Sequence, residues 1–160
     1  MAKEKNFVLD AHDRRILKEL QQDASISISE LAERVGLSAT PCWTRVRRMQ
    51  DAGVILRRVA LVDRHKIGLG VTVYVAIRCG QHDSKWLERF AEHCSSMPEV
   101  VEFYRLSGQV DYLLKVVAQD IEDYDRIYKN IIKIPSISDI SSSFAMEQIK
   151  YTTELPTQLL

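Results

Sequence analysis

Between Ser38 and Arg58 the chain carries Arg45, Arg47, Arg48, Arg57 and Arg58, with Asp51 as the only acid. Guanidinium forks grip phosphate or the guanine edge in pairs of hydrogen bonds, and Thr40 and Thr44 can reach a base edge or a thymine methyl. The chemistry on offer is recognition of a polyanion. A solvated, arginine-lined helix would look the same by charge alone. Turned at roughly 100° per residue, a helix here puts Cys42, Val46, Met49 and Gly53 on one side. Thr40, Pro41, Thr44, Arg47, Arg48 and Asp51 fall on the other, with Trp43 and Arg45 at the boundary. Hydroxyls near the start of such a helix and guanidiniums one to two turns later suit a reader of the DNA major groove. Its N-terminal amides, with Ser38 just before them, would add donors toward phosphate. Candidate DNA-binding residues are therefore Ser38, Thr40, Pro41, Thr44, Arg45, Arg47, Arg48 and Arg57. For Arg57 and its neighbour Arg58, phosphate contact and plain exposure are equally good readings.

A second stretch, Leu106-Ser107-Gly108-Gln109-Val110-Asp111-Tyr112, admits two chemistries. In one, Gly108 supplies the left-handed backbone of a hairpin turn that Asp111 ties together. In the other, a loop at a sheet end offers amides and one carboxylate to a small zwitterion. Ser141, Ser142 and Ser143 are compatible with a wet pocket or with an exposed strand face. His12, His65, His82 and His93 are scattered, and no pair has metal-ligand spacing. Cys42, Cys79 and Cys94 lack a Cys-x-x-Cys pair and read as small apolar residues in a reducing compartment. No phosphate loop, nucleophile elbow or catalytic carboxylate pair is visible. The sequence predicts no enzyme, no cofactor and no metal.

The elements that must position these residues follow from local signals. Asp10 caps a helix over Ala11–Gln22, with Asp13 in its first turn and an apolar stripe at Ile16, Leu17 and Leu20. Ser27 and Glu30 form a capping box for a short helix buried through Leu31, Ala32 and Val35. Gly36 stops it, and Ser38 caps a third helix from Ala39 to about Ala52, with Pro41 in the first turn where a missing N–H costs little. Helix, helix, glycine turn and helix is the helix-turn-helix order. The capping box, Gly36 and Ser38 in that order favour DNA binding over a merely solvated helix. Val54 to Val62 reads as a short strand, taken as a small wing.

After Asp63–Gly70 the period changes. Val71, Val73, Val75 and Ile77 alternate with more polar residues as in a half-buried strand. Asp83–Ser96 is helical, Glu99–Ser107 and Val110–Ala118 are strands, and Asp120 caps a helix with Ile121, Tyr124, Tyr128 and Ile131/Ile132 on one face. Ile137–Met146 closes the set. The order β-α-β-β-α-β predicts a ferredoxin-like α+β domain behind a winged helix-turn-helix. The expected organisation is residues 1–62 for DNA, a 63–70 linker, 71–147 for effector binding and oligomerisation, and a 148–160 tail.

Bulk properties agree. A chain of 160 residues is one large domain or two small ones. Its formal charge of zero hides a split. Residues 1–66 hold 13 Lys+Arg against 9 Asp+Glu, and the remainder the reverse, 9 against 13. One half is suited to a polyanion and the other is not. No apolar run is long enough for a membrane span and no signal peptide is evident, so a cytoplasmic protein is expected. Domains this small commonly complete their cores by oligomerising.

Taken together, Leu9-Asp10-x-x-Asp13-Arg14-x-Ile16-Leu17, Leu31-Ala32-x-x-Val35-Gly36-Leu37-Ser38-x-Thr40-Pro41-Cys42-x-x-Arg45-Val46 and Gly53-Val54-Ile55 resemble the Lrp/AsnC (feast/famine) regulators. So do Ser107-Gly108-x-x-Asp111-Tyr112-Leu113-Leu114 and Ser143-Phe144-x-Met146-Glu147, and the resemblance runs from about Leu9 to Pro156. It implies a DNA-binding transcription regulator whose ferredoxin-like domain dimerises through its sheet, with dimers building tetramers or octamers. It also implies an amino acid effector held between subunits near Ser107, Gly108, Asp111 and Tyr112. The alternative within DNA binding is an architectural protein that wraps DNA with little sequence preference, since phosphate and base contacts draw on the same arginines.

Overall fold

The computed structural model describes residues 7–80 and 84–159, and it divides into two units. The first comprises the chain up to Leu61 together with the segment from Lys150 onward; the second runs from Val62 to Ile149. The 148–160 tail read from the sequence falls in the first unit from Lys150 onward.

The first unit is built on α1 (Ala11–Gln22), α2 (Ile28–Val35) and α3 (Ala39–Asp51). Their apolar stripes meet in one core of Ile16, Leu17, Leu31, Ala32, Val35, Cys42, Val46 and Met49, with Ile26 from the α1–α2 connection. α1 starts where a full capping box satisfies its first amides. Asp10 accepts from the Asp13 N–H, and Asp13 accepts from the Asp10 N–H. At α2, Ser27 accepts from the Glu30 N–H at 3.1 Å, while the Glu30 carboxylate pairs with Arg34 at 2.6 Å. Gly36 ends α2 at φ +71, a left-handed conformation that would strain any side chain. Ser38 occupies the N-cap position of α3 but makes no side-chain cap hydrogen bond, so the expected cap is backbone geometry only. Val54–Val62 forms no strand: Val54 and Ile55 bend back to donate to the Met49 carbonyl, and the residues after them have no regular structure. A strand exists only by pairing, and no partner for this stretch occurs among the described residues. The tail is held to α1 by Gln21, whose side-chain amide donates to the Leu155 carbonyl and accepts from the Leu155 N–H.

The second unit is a four-stranded antiparallel sheet of order β2-β3-β1-β4, from β1 (Val71–Cys79), β2 (Val100–Arg105), β3 (Tyr112–Ala118) and β4 (Ile137–Phe144). The β1–β3 register runs from Val71 opposite Ala118 to Ile77 opposite Tyr112. This is the expected ferredoxin-like arrangement. The two helices α4 (Ser84–Ser96) and α5 (Ile121–Ile131) cover one face of it. The start of α4 expected at Asp83, and His82 before it, lie outside the described residues. Phe90 anchors the core, stacked on Trp86 at 4.9 Å and edge-on to Phe103 at 5.5 Å. The buried face of α5 is Tyr124, Ile127 and Ile131. Ile121 and Ile132, expected inside, are exposed, because the helix is turned so that Ile127 faces the sheet.

The sheet's other face has no covering helix among the described residues. Tyr74 and Arg78 of β1 and Tyr104 of β2 are exposed there, and Leu113, Lys115 and Val117 of β3 are only partly buried. Lys115 pairs with Glu102 at 2.7 Å across the strands, and Glu102 accepts from Tyr104 at 3.0 Å.

Phe90 is fully buried among aromatic rings, so Phe90→Ala should cost about 3–5 kcal/mol of the second unit's stability. Urea denaturation followed by the tryptophan signal of Trp86 checks this.

Candidate nucleic-acid interface and effector loop

The outward side of α3 carries Thr40, Pro41, Trp43, Thr44, Arg47, Arg48 and Asp51, all exposed, while Cys42, Val46 and Met49 are buried. The Thr44 hydroxyl donates back to the Thr40 carbonyl at 3.0 Å, which leaves its lone pairs and methyl outward. Arg47 reaches Asp51 at 3.2 Å, one turn on, and both side chains remain more than half exposed. Trp43 is 56 % exposed on the Arg47 flank, a large ring with no core to enter. Because Ser38 does not cap, its exposed hydroxyl and the first amides of α3 are left toward solvent.

Two of the candidate arginines behave differently. The Arg45 Nη1 donates to Asp10 at 2.5 Å and to Asp13 at 2.9 Å, and the Arg48 Nη2 donates to the second Asp13 oxygen at 2.5 Å. The Arg48 guanidinium also lies over the Phe7 ring, 4.9 Å from its centre. These two guanidiniums are therefore turned onto the start of α1, whereas Arg47 is on the open side. Asp10 and Asp13 read in sequence only as helix-capping residues. Their pairing with α3 spans 32 and 35 residues, a separation that no local pattern reports. Arg57 lies exposed on the irregular 54–62 stretch, and among the described residues no hydrogen bond or ion pair ties it to α3.

In the second unit, Ser107, Gly108 and Gln109 are exposed at the β2–β3 turn. Gly108 has φ +125, where a side chain would be strained whatever the space around it. Asp111 is not aimed outward. Its carboxylate accepts from the Cys79 N–H at 2.9 Å, its N–H donates to the Ile77 carbonyl, and its carbonyl accepts from the Leu106 N–H. It ties the turn to the end of β1. Tyr112 is buried against Trp86, Phe90 and Phe103. Of the serines on β4, Ser142 meets the Tyr124 hydroxyl at 2.5 Å on the helix-covered face, while Ser141 and Ser143 are exposed.

Burial raises all three thiols, Cys94 to about 12, which leaves them protonated packing groups. No group of His, Cys, Asp and Glu able to hold a metal occurs among the described residues. No described helix is long and apolar enough to cross a membrane.

Comparison with known proteins agrees with both units. Residues 9–55 match the winged helix-turn-helix DNA-binding family model, and residues 72–155 match that of the Lrp/AsnC ligand binding domain. The DNA-binding transcriptional activator DecR of Escherichia coli K12 is 48 % identical over 152 residues, 94 % of this chain and 100 % of that protein. A glutamate uptake regulatory protein of Zymomonas mobilis is 48 % identical over 148 residues, 92 % of this chain and 90 % of the relative. Among solved structures, an AsnC family transcriptional regulator from Agrobacterium tumefaciens superposes with a TM-score of 0.92 at 55 % identity, over 95 % of this chain and 99 % of that one. A Neisseria meningitidis transcriptional regulator in complex with L-Met gives 0.90 at 32 % identity, over 96 % of this chain and 100 % of its own.

The Asp13 backbone bond and the Arg45 guanidinium beside Asp10 lower its carboxyl from 3.8 to about 2. A carboxyl depressed by folding contributes stability above its unfolded value and loses it as pH falls through the folded one. The first unit should thus weaken between pH 3.8 and about 2, modestly, since Asp10 is half exposed and screened. Acid titration of Asp10→Asn, followed by circular dichroism, should show a shallower slope in that window than the parent chain.

Proposed function

The chain belongs to the Lrp/AsnC family of DNA-binding transcriptional regulators, and from that premise we propose that it reads a specific DNA site through α3 as a homo-oligomer and alters its grip when a small amino acid binds at the β2–β3 turn. The observation that carries the reading is the outward row of α3: Thr40, Thr44 and Arg47, exposed together one turn apart on a helix whose opposite side is buried. Threonine and arginine in that row can meet base edges, while Ser38 and the free first amides of α3 suit a phosphate. Arg57 supplies a further phosphate contact from the exposed stretch after α3.

The open sheet face supports the oligomer. A small domain that leaves Tyr74, Tyr104, Leu113 and Val117 on a face without helices gains a second wall by pairing with a copy of itself. A two-fold dimer then offers two recognition helices to half-sites about one helical turn apart, or a multiple of it.

At the effector loop, Ser107, Gly108 and Gln109 present the backbone to a ligand. Asp111 contributes by fixing the turn to β1 and thereby aiming those amides. Tyr112 serves from below, as the packed floor of the loop. The L-Met held by the Neisseria relative supports an amino acid as the effector class.

Two experiments test the reading. A duplex enriched by the wild-type chain from a random library should lose about 1–3 kcal/mol of affinity on Arg47→Ala, with relaxed preference at one base pair. Equal binding of that duplex by both proteins would remove α3 from base reading. A thermal-shift screen of the twenty amino acids should identify one that stabilises the native state, by about 2.7 kcal/mol at 100 times its dissociation constant. Asp111→Ala should still sediment as the wild type does yet lose the effector-dependent change in DNA affinity, a coupling of about 1–3 kcal/mol. A full response in the variant would return this loop to a purely structural turn.

A further inference from the structure

Asp13 is fully buried, and both of its carboxylate oxygens are occupied: one by Arg45, the other by Arg48 and by the Asp10 N–H. Capping α1 requires only the last of these bonds. The other two cross to the recognition helix and place a buried charge against two guanidiniums. Buried ion pairs are seldom a net gain in stability over apolar packing. What this one does fix is direction. Arg45 commits its Nη1 to the two aspartates and keeps Nε and Nη2, and Arg48 commits Nη2 and keeps Nε and Nη1. Phe7 holds the plane of Arg48 from a further side. The four charges also cancel, two carboxylates against two guanidiniums, so the cluster attracts DNA weakly from a distance and acts at close range.

We propose that Asp13 is a positioning residue of the DNA interface. Its carboxylate holds Arg45 and Arg48 against α1, where they present fixed donors to the sugar-phosphate backbone and do not swing onto base edges. Sequence reading is left to Thr40, Thr44 and Arg47. Asp13 thereby exchanges non-specific attraction for selectivity. The inference rests on the DNA-reading role of α3 proposed above.

The test compares Asp13→Asn with wild type, as full chains, on two duplexes at several salt concentrations: one enriched by the wild type and a scrambled one of equal composition. Asparagine keeps the shape and removes the charge. The ratio of enriched to scrambled affinity should fall about tenfold, the scale of one misplaced recognition contact. Binding to the scrambled duplex should strengthen, and its salt dependence should steepen by up to about one, because a guanidinium is uncovered. A merely structural role would lower both affinities together and leave the ratio and the slope in place. Should Asp13→Asn fail to fold, Asp10→Asn decides, since asparagine caps a helix as well as aspartate does. It should lower the ratio in the same direction, by about threefold, for the loss of one of the two carboxylates on Arg45. An unchanged ratio in the folded variant overturns the positioning role. If the wild-type chain enriches no sequence at all, the DNA reading beneath it fails instead, and this inference with it.

Discussion

The first and third helices of the DNA-facing unit are joined by one buried carboxylate. Asp13 sits where α1 begins, closes the capping box with Asp10, and meets two arginines of α3. Its position follows from elementary constraints. Ile16 and Leu17 must face the core, so the residue one turn earlier lies beside the same helices but at the rim. An apolar side chain there would pack; an aspartate there needs partners, and α3 supplies Arg45 and Arg48 at the spacing of one turn. That bond sorts the basic face of the recognition helix into two classes. Arginines tied to α1 have fixed directions, and Arg47 on the opposite flank keeps its freedom apart from the exposed Asp51.

The second unit is governed by a different constraint, that its sheet is buried from one side only. Alternation along β1 and β3 sends Val73, Val75, Ile77, Leu114 and Val116 to the helices and puts Tyr74, Arg78, Leu113 and Val117 on the uncovered face. The ferredoxin-like order brings the β2–β3 turn to the end of β1, where Asp111 is bound by the Cys79 N–H. A change at that turn bears directly on the central strand of the face proposed to pair with a second copy. This gives the proposed effector a physical route to the proposed assembly, through strand ends and not through a distant lever.

Much of this was legible in the residues. Ala11–Gln22 and Val71–Cys79 were readable because caps and alternation are local signals, and Gly36 and Gly108 because a left-handed backbone selects glycine. Ser38 illustrates the limit: the residue type and the place were right, but a hydroxyl takes whichever partner is nearest, and here it makes no cap bond. Val54–Val62 has strand composition without a ladder, since pairing depends on a second segment. The choice of Ile127 over Ile121 turned on a small rotation of α5 that periodicity does not resolve. Asp13 with Arg48, and Gln21 with Leu155, are separated by 35 and 134 residues, and only the folded chain brings them together. At the site, the open row of α3 was readable from its helical spacing; the inward turn of Arg45 and Arg48 was not.

The central claim is that α3 enters the major groove at two places on one site. Guanine N7 lies in that groove, so methylation protection of the bound duplex reports it directly. The account predicts two clusters of protected N7 atoms about one helical turn apart, or a multiple of it, with guanines between them still reactive. Uniform reactivity of N7 throughout a fully bound duplex would contradict it, and would mark a protein that holds DNA by its backbone alone.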